Sequence, residues 1–151
     1  MALKEQISSD MKAALLGGNR FLGETLRNLK AAILNEEVAQ NKRVTGLNDA
    51  EIEKIVAKEI KKRHESAKIY RANERLDLAE PEEQEAKILV AYLPEQMSEV
   101  GIQKLVEQKI ATLGVRGPQA MGQVIGAVKQ EAGNTADGAL VAKLVKEALA
   151  N

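Results

Sequence analysis

The sequence predicts an all-α fold made of a four-helix N-terminal part and a three-helix C-terminal part. Aliphatic residues recur at helical spacing along the chain, and no stretch alternates apolar and polar residues as a half-buried strand would. Proline and glycine separate these stretches where helices are expected to begin and end. Hydrophobic residues make up 44% of the 151, but the aromatic ones are only Phe21, Tyr70 and Tyr92, so both cores must be aliphatic.

The first two helices follow from the spacing of leucine, isoleucine and methionine. Apolar residues four apart predict the first helix over residues 3–16, and the glycine pair at 17–18 ends it. The second is predicted to run from about residue 20 to residue 40. The segment 42–47 is polar and contains a glycine, which favours a loop.

The third and fourth helices have recognisable starting residues. Asn48 is expected to cap the third helix, and the glutamate three residues later completes a capping box. This helix is predicted to continue to about Ala72. The fourth begins within residues 75–82, with Pro81 in its first turn, and ends near Tyr92.

A proline marks the expected boundary between the two parts. Pro94 forces the residue before it toward an extended conformation and stops the fourth helix. We therefore expect an N-terminal helical domain over 1–93 and a three-helix domain over 94–151. The three shorter helices of the second domain are expected to begin at Ser98, Pro118 and Thr135.

Composition excludes several classes of function. The net charge is zero, with 16 basic and 16 acidic residues in 1–94 and six of each in 95–151, which argues against nonspecific coating of nucleic acid or anionic membrane. No cysteine is present, and the single histidine, His64, is read as a surface residue, so we expect no metal and no cofactor. The N-terminus lacks the apolar core of a signal peptide and no apolar run could span a bilayer, so we expect a cytoplasmic location.

A basic ridge is predicted on the third helix. At 100° per residue, its cations fall on the side opposite the apolar stripe: Lys54, Lys58, Lys61, Lys68, Arg71 and Arg75. Such a ridge suits a surface that follows nucleic-acid phosphates, because each cation releases condensed counterions. A solvated helix face is the commoner meaning of a charge run, and the sequence leaves both interpretations open.

Arg63 lies within the apolar stripe of the same helix. A charge there must pair, extend to solvent or face a cleft. If the second and third helices form an antiparallel hairpin, Glu24 is the expected partner. A structural ion pair is favoured over a ligand site.

Two glycines lie four residues apart inside the sixth helix. Glycine in a helix interior costs about 1 kcal/mol relative to alanine, so Gly122 and Gly126 indicate that some other body approaches this helix closely. A neighbouring helix is the commoner explanation, and a nucleic-acid backbone is the alternative. The turn 133–138 leads into the last helix, and its free N–H groups suit either a phosphate or the carboxylate of Asp137, with the cap favoured.

Five segments together resemble the YqeY-like family, whose members are stand-alone relatives of the tail domain of GatB. The segments follow one another in the family's order, and the resemblance extends over essentially the whole chain: Leu29–Val38, Lys58–Ser66, Tyr92–Gln96, Met121–Gly126 and Gly133–Gly138. The resemblance implies a four-helix part followed by a three-helix tail.

The resemblance also implies tRNA as a partner. GatB is a subunit of the tRNA-dependent amidotransferase, a carbon–nitrogen ligase with glutamine as amido donor, and its tail contacts tRNA while other domains carry out the chemistry. By this resemblance the chain binds tRNA without a catalytic site of its own. Relatives commonly carry Lys or Arg in the loop where this chain has Asn134 and Thr135. The tail's candidate phosphate contacts are Arg116, Lys129, Lys143 and Lys146, beside Gly122 and Gly126.

Three hypotheses stay open at this point. The first is a tRNA-binding accessory protein that uses the glycine face and the cations of the tail, aided by the basic ridge. The second is a helical adaptor that docks on a protein of a translation-related complex. The third is an amidotransferase-type enzyme, which predicts glutamine-dependent amide transfer by the purified chain.

Overall fold

A computed structural model describes residues 2–150, and all regular structure in that range is helical, which confirms the all-α class. Two short 3₁₀ turns, Pro118–Ala120 and Gly133–Thr135, flank the sixth helix. The α-helices are α1 (Leu3–Leu16), α2 (Arg20–Ala39), α3 (Asp49–Ala72), α4 (Leu76–Val90), α5 (Glu99–Leu113), α6 (Met121–Ala132) and α7 (Gly138–Leu149).

The helices form two compact units, each with an aliphatic core. Helices α1 to α4 belong to the unit that ends at Leu93, and α5 to α7 belong to the unit that begins at Pro94. The first core includes Ile7, Leu26, Leu29, Ile33, Ile52, Val56 and Leu89. The second core includes Ile102, Val106, Val124, Val128, Val141, Leu144 and Val145.

Several predicted helix ends are confirmed in atomic detail. The side chain of Asn48 accepts a hydrogen bond from the backbone N–H of Glu51, whose carboxylate accepts from the N–H of Asn48, and these two bonds form the capping box. Ser98 caps α5 by accepting from the N–H of Gly101 at 3.0 Å. Both caps satisfy N–H groups that have no partner inside the helix.

The fourth helix begins within the predicted range, but the predicted place of Pro81 in it and the predicted cap of α7 are wrong. Pro81 lies beyond the first turn of α4, which begins at Leu76, so it removes one hydrogen bond inside the helix rather than starting it. Thr135 does not cap α7: its hydroxyl donates to the carbonyl oxygen of Ala132 and closes the 3₁₀ turn. Asp137 is the cap, accepting from the N–H of Leu140 at 2.9 Å.

The partner predicted for Arg63 is also wrong. Helix α3 packs along α4, so the Nε of Arg63 donates to Glu85 at 2.9 Å and its Nη1 donates to the carbonyl oxygen of Glu59. Glu24 instead pairs with Arg27 on its own helix. The expectation of a structural ion pair is confirmed, but the assumed hairpin of α2 and α3 gave the wrong partner.

A buried carboxylate joins three segments of the first unit. The side chain of Glu37, at the C-terminal end of α2, is 1% exposed. Its oxygens accept hydrogen bonds from the ammonium group of Lys4 on α1, at 2.7 and 2.9 Å, and from the backbone N–H of Leu47 in the following loop, at 3.1 Å. The hydrogen bond from Lys4 holds the pKa of Glu37 below its ordinary value of 4.5, so the carboxylate is charged at neutral pH.

Replacing Lys4 with Met should destabilise the first unit, because it leaves the carboxylate of Glu37 buried without a counter-charge. We expect the free energy of unfolding to fall by about 2–3 kcal/mol at pH 7. Urea denaturation followed by tyrosine fluorescence measures this, because both tyrosines lie in the first unit. Lys12→Met, an exposed change on the same helix, is the matched control and should have little effect.

The same substitution should lose its effect in acid. A carboxylate with a lowered pKa stabilises the fold above its unfolded-state pKa, near 4.5, and this stabilisation disappears as the pH falls through the folded-state value. The difference between wild type and Lys4→Met should therefore be large at pH 7 and small at pH 3. A difference that is unchanged between the two pH values would contradict the assignment.

Candidate nucleic-acid interface

Helix α6 places its two glycines on the surface of the second unit. Its core side is formed by Val124, Val128 and Ala132, which are all buried. At 100° per residue, Gly122 and Gly126 lie on the flank that faces away from these residues. Both glycines are exposed.

The interpretation of these glycines as a helix-packing contact is wrong. A methyl group added to Gly122 or Gly126 would meet no atom within 4 Å, apart from the neighbouring residues and the backbone of α6 itself. Both positions have ordinary helical backbone geometry, so neither requires glycine for its conformation. Helix packing therefore does not explain the two glycines, and the alternative drawn from the sequence, a nucleic-acid backbone, stays a hypothesis.

Lys129 lies on the same flank of α6 as the two glycines. It follows Gly126 by three residues, and its angular position falls within about 60° of both glycines. A methyl group placed on Gly138 would lie 3.7 Å from the ammonium nitrogen of Lys129, so this lysine reaches the first turn of α7. The carboxylate of Asp137 already occupies the end of that helix as its cap. The surface therefore combines a bare stretch of backbone with one cation at its end.

The turn before α7 is held in place from the segment that precedes α5. The side-chain amide of Gln96 donates to the carbonyl oxygen of Asn134 at 2.9 Å, and the backbone N–H of Met97 donates to that of Thr135 at 2.7 Å. This contact was not predicted from the sequence. The position of Gly138 beside Lys129 was not predicted either. In the sequence, Gly138 is only a glycine that directly follows a helix cap, and glycine occurs there for many reasons other than a nearby lysine.

The other cations predicted for the tail are exposed but are separate from this flank. Lys143 and Lys146 lie on the side of α7 that faces away from its buried stripe, and Arg116 lies in the turn between α5 and α6. Within residues 2–150 no hydrogen bond or ion pair joins them to α6. The structure therefore brings Lys129 together with Gly122 and Gly126, and leaves the remaining three cations as independent surface groups.

The basic ridge of α3 divides into two kinds of cation. Lys54, Lys58, Lys61 and Lys68 are exposed, and no ion pair engages them in the part of the chain that the structure describes. Arg71, by contrast, donates two hydrogen bonds to Glu83 on α4. Arg75 lies outside α3, as the residue before α4, and pairs with Asp77 at 3.1 Å.

The two arginine pairs reduce the positive charge at the end of α3. The hydrogen bond from Arg71 holds the pKa of Glu83 below its ordinary value, and that from Arg75 does the same for Asp77. Both carboxylates are therefore ionised and neutralise their arginines at neutral pH. Among the six cations of the predicted ridge, only the four lysines have no carboxylate paired with them in the described part of the chain.

Residues 2–150 contain neither a cluster typical of a metal site nor a membrane-spanning helix. No three histidine, aspartate or glutamate side chains there are grouped as metal ligands would be. No helix in that range is long and apolar enough to cross a membrane. His64 is exposed.

The fold and this surface define a small all-α protein of two helical units with an open glycine flank in the second. The chain belongs to the YqeY-like family: the profile of the Yqey-like protein family matches residues 4–149. The resemblance inferred from the five sequence segments is thereby confirmed.

Two curated relatives are fungal proteins that share the name "Altered inheritance of mitochondria protein 41, mitochondrial". The one from Clavispora lusitaniae is 29% identical over 92 residues, which are 61% of this chain and 52% of the relative. The one from Vanderwaltozyma polyspora is 33% identical over 87 residues, which are 58% of this chain and 46% of the relative. The matched region is thus about half the length of these relatives. Both are mitochondrial by name, and the cytoplasmic location expected from the sequence stays a prediction.

Alanine at either glycine should stabilise the second unit. Since an added methyl group meets nothing at Gly122 or Gly126 and alanine favours helix, each substitution should add about 0.5–1 kcal/mol. Amide hydrogen exchange at Val124 and Val128 should slow by roughly two- to fivefold. Gly114→Ala is the control and should destabilise, because Gly114 ends α5 with a φ of +64°. Faster exchange in the α6 variants would show that a neighbouring group requires the glycines.

Proposed function

We propose that this chain is a tRNA-binding accessory protein whose second unit, α5 to α7, is related to the tail domain of GatB. In this proposal it contributes to a tRNA-dependent amidotransferase reaction, or to a related step, by binding RNA and not by catalysis. The observation that carries the proposal is the open glycine flank of α6. Two glycines weaken this helix and no part of the described chain packs on them.

Glycine permits the closest approach that a helix backbone can offer to another backbone. On α6 an approaching sugar–phosphate chain meets no side chain at Gly122 or Gly126, and then reaches the ammonium group of Lys129 at the end of the same flank. Lys143 and Lys146 supply further positive charge on α7. Such a surface suits recognition of the shape and backbone of duplex RNA, whose deep major groove side chains do not read.

The charge balance of the second unit limits how strongly it alone can bind. Its six basic residues are matched by six acidic ones, and Lys109 is paired with Glu131 at 2.9 Å. The lysines of α3 supply the additional cations that the proposal needs. Lys58, Lys61 and Lys68 are exposed and unpaired within residues 2–150, whereas Arg71 is neutralised by Glu83.

Charge reversal in the tail tests the proposal directly. Lys129→Glu with Lys146→Glu should weaken binding to total tRNA by about tenfold or more at low salt, because each change replaces a phosphate contact with a repulsion. Gel shift at two salt concentrations measures the affinity and its salt dependence. Lys104→Glu, an exposed change on α5 in the same unit, is the matched control. An affinity that Lys129→Glu and Lys146→Glu leave unchanged would exclude the tail from the interface.

The α3 lysines should affect the salt dependence of binding more than its specificity. Changing Lys58, Lys61 and Lys68 to Gln should make the slope of log affinity against log salt shallower, by about one unit for each phosphate that is no longer neutralised. Arg71→Gln should change the slope much less, because Glu83 already neutralises that arginine. Equal effects from the lysine and arginine changes would contradict the division of the ridge. No binding of wild type at low salt would refute direct tRNA recognition.

A further inference from the structure

The first unit contains an open pocket, and none of the residues that line it is among the proposed RNA contacts. Its volume is about 240 Å³. It lies beside the buried ion pair of Lys4 and Glu37, on one side of α2. The lining residues are Lys4, Lys30, Ala31, Ile33, Leu34 and Glu37.

The apolar surface of this pocket continues along the outside of α2. Ala31, Leu34 and Val38 follow one another at the three- and four-residue spacing that places them on one face of the helix. Leu34 is 45% exposed and Val38 is 54% exposed, although both are large aliphatic residues. This row has the spacing with which one helix packs against another.

The size of the pocket selects the kind of ligand that it can hold. Pockets for cofactors and drug-sized molecules usually measure about 300–1,000 Å³, so a cavity of this volume is too small for them. It is suited to one or two apolar side chains projecting from a partner. A helix lying along Ala31, Leu34 and Val38 would place such an anchor in the pocket, as in helix-in-groove recognition.

The charges of the lining indicate the partner's charge. The carboxylate of Glu37 is 1% exposed and is neutralised by Lys4, so it presents no free negative charge. The side chain of Lys4 is 44% exposed, but its ammonium group is engaged by Glu37, whereas Lys30 forms no ion pair among the residues that the structure describes. Since Lys4 and Glu37 neutralise each other, Lys30 carries the one uncompensated charge of the lining, and the rim is net positive. We propose that this groove docks an acidic amphipathic helix of a partner protein, with an apolar side chain in the pocket and a carboxylate beside Lys30.

This docking site is independent of the tRNA proposal, so each can fail without the other. A displayed library of random 16-residue peptides, selected against the purified full chain, is the probe. Two variants alter the groove: Ala31→Trp fills the pocket from an exposed position, and Lys30→Glu reverses the charge of its rim. Arg20→Glu reverses an exposed charge nearly three turns away on the same helix and is the matched control.

The expected result is a set of selected peptides with apolar residues at helical spacing and flanking Asp or Glu. They should bind Ala31→Trp and Lys30→Glu at least tenfold more weakly than wild type, and bind Arg20→Glu with unchanged affinity. Tyrosine fluorescence during urea denaturation establishes that each variant is folded. If Ala31→Trp does not fold, Leu34→Asn gives a second test, because Leu34 is an exposed member of the apolar row on α2.

Three results would overturn the proposal. One is a selection in which every peptide binds Ala31→Trp and Leu34→Asn as tightly as it binds wild type. Another is a set of peptides with basic flanks, or one whose affinity Lys30→Glu leaves unchanged. The third is a wild-type dimer in sedimentation equilibrium that Ala31→Trp dissociates, because the groove would then be filled by a second copy of this chain.

Discussion

Each helix of this protein buries one apolar stripe in an aliphatic core, and this constraint determines which residues remain outside. In α6 the stripe is formed by Val124, Val128 and Ala132. The two glycines and Lys129 lie together on the flank of α6 that faces away from this stripe. The second unit contains no aromatic residue, so no bulky ring covers that flank. The candidate RNA surface is therefore a consequence of how the core is filled.

The first unit depends in addition on a single buried charge. Glu37 joins the start of α1 through Lys4 and the loop before α3 through Leu47, so one carboxylate positions three segments that are distant in the sequence. A buried charge is tolerated only when it is paired and hydrogen-bonded, and both conditions are met here. The same ion pair forms one wall of the groove on α2. Stability and the proposed docking of an acidic helix thus share a structural element.

Much of the fold was predictable because the signals for helices are local. The cap at Asn48 and the aliphatic spacing of α5 to α7 involve residues within one or two turns of one another. The partner of Arg63 was not predictable, because it depends on which helices pack together, and α3 packs on α4 rather than on α2. The open environment of Gly126 and the burial of Glu37 were missed for the same reason, since both depend on contacts or gaps between distant segments.

We propose that an RNA backbone lies against the glycine flank of α6. The most direct measurement is a nuclear magnetic resonance titration of the ¹⁵N-labelled chain with total tRNA at low salt. We expect the largest changes at the backbone amides of Gly122, Gly126 and Lys129, with smaller ones along the lysines of α3. Changes confined to other surfaces, with these three amides unaffected at saturating tRNA, would contradict it.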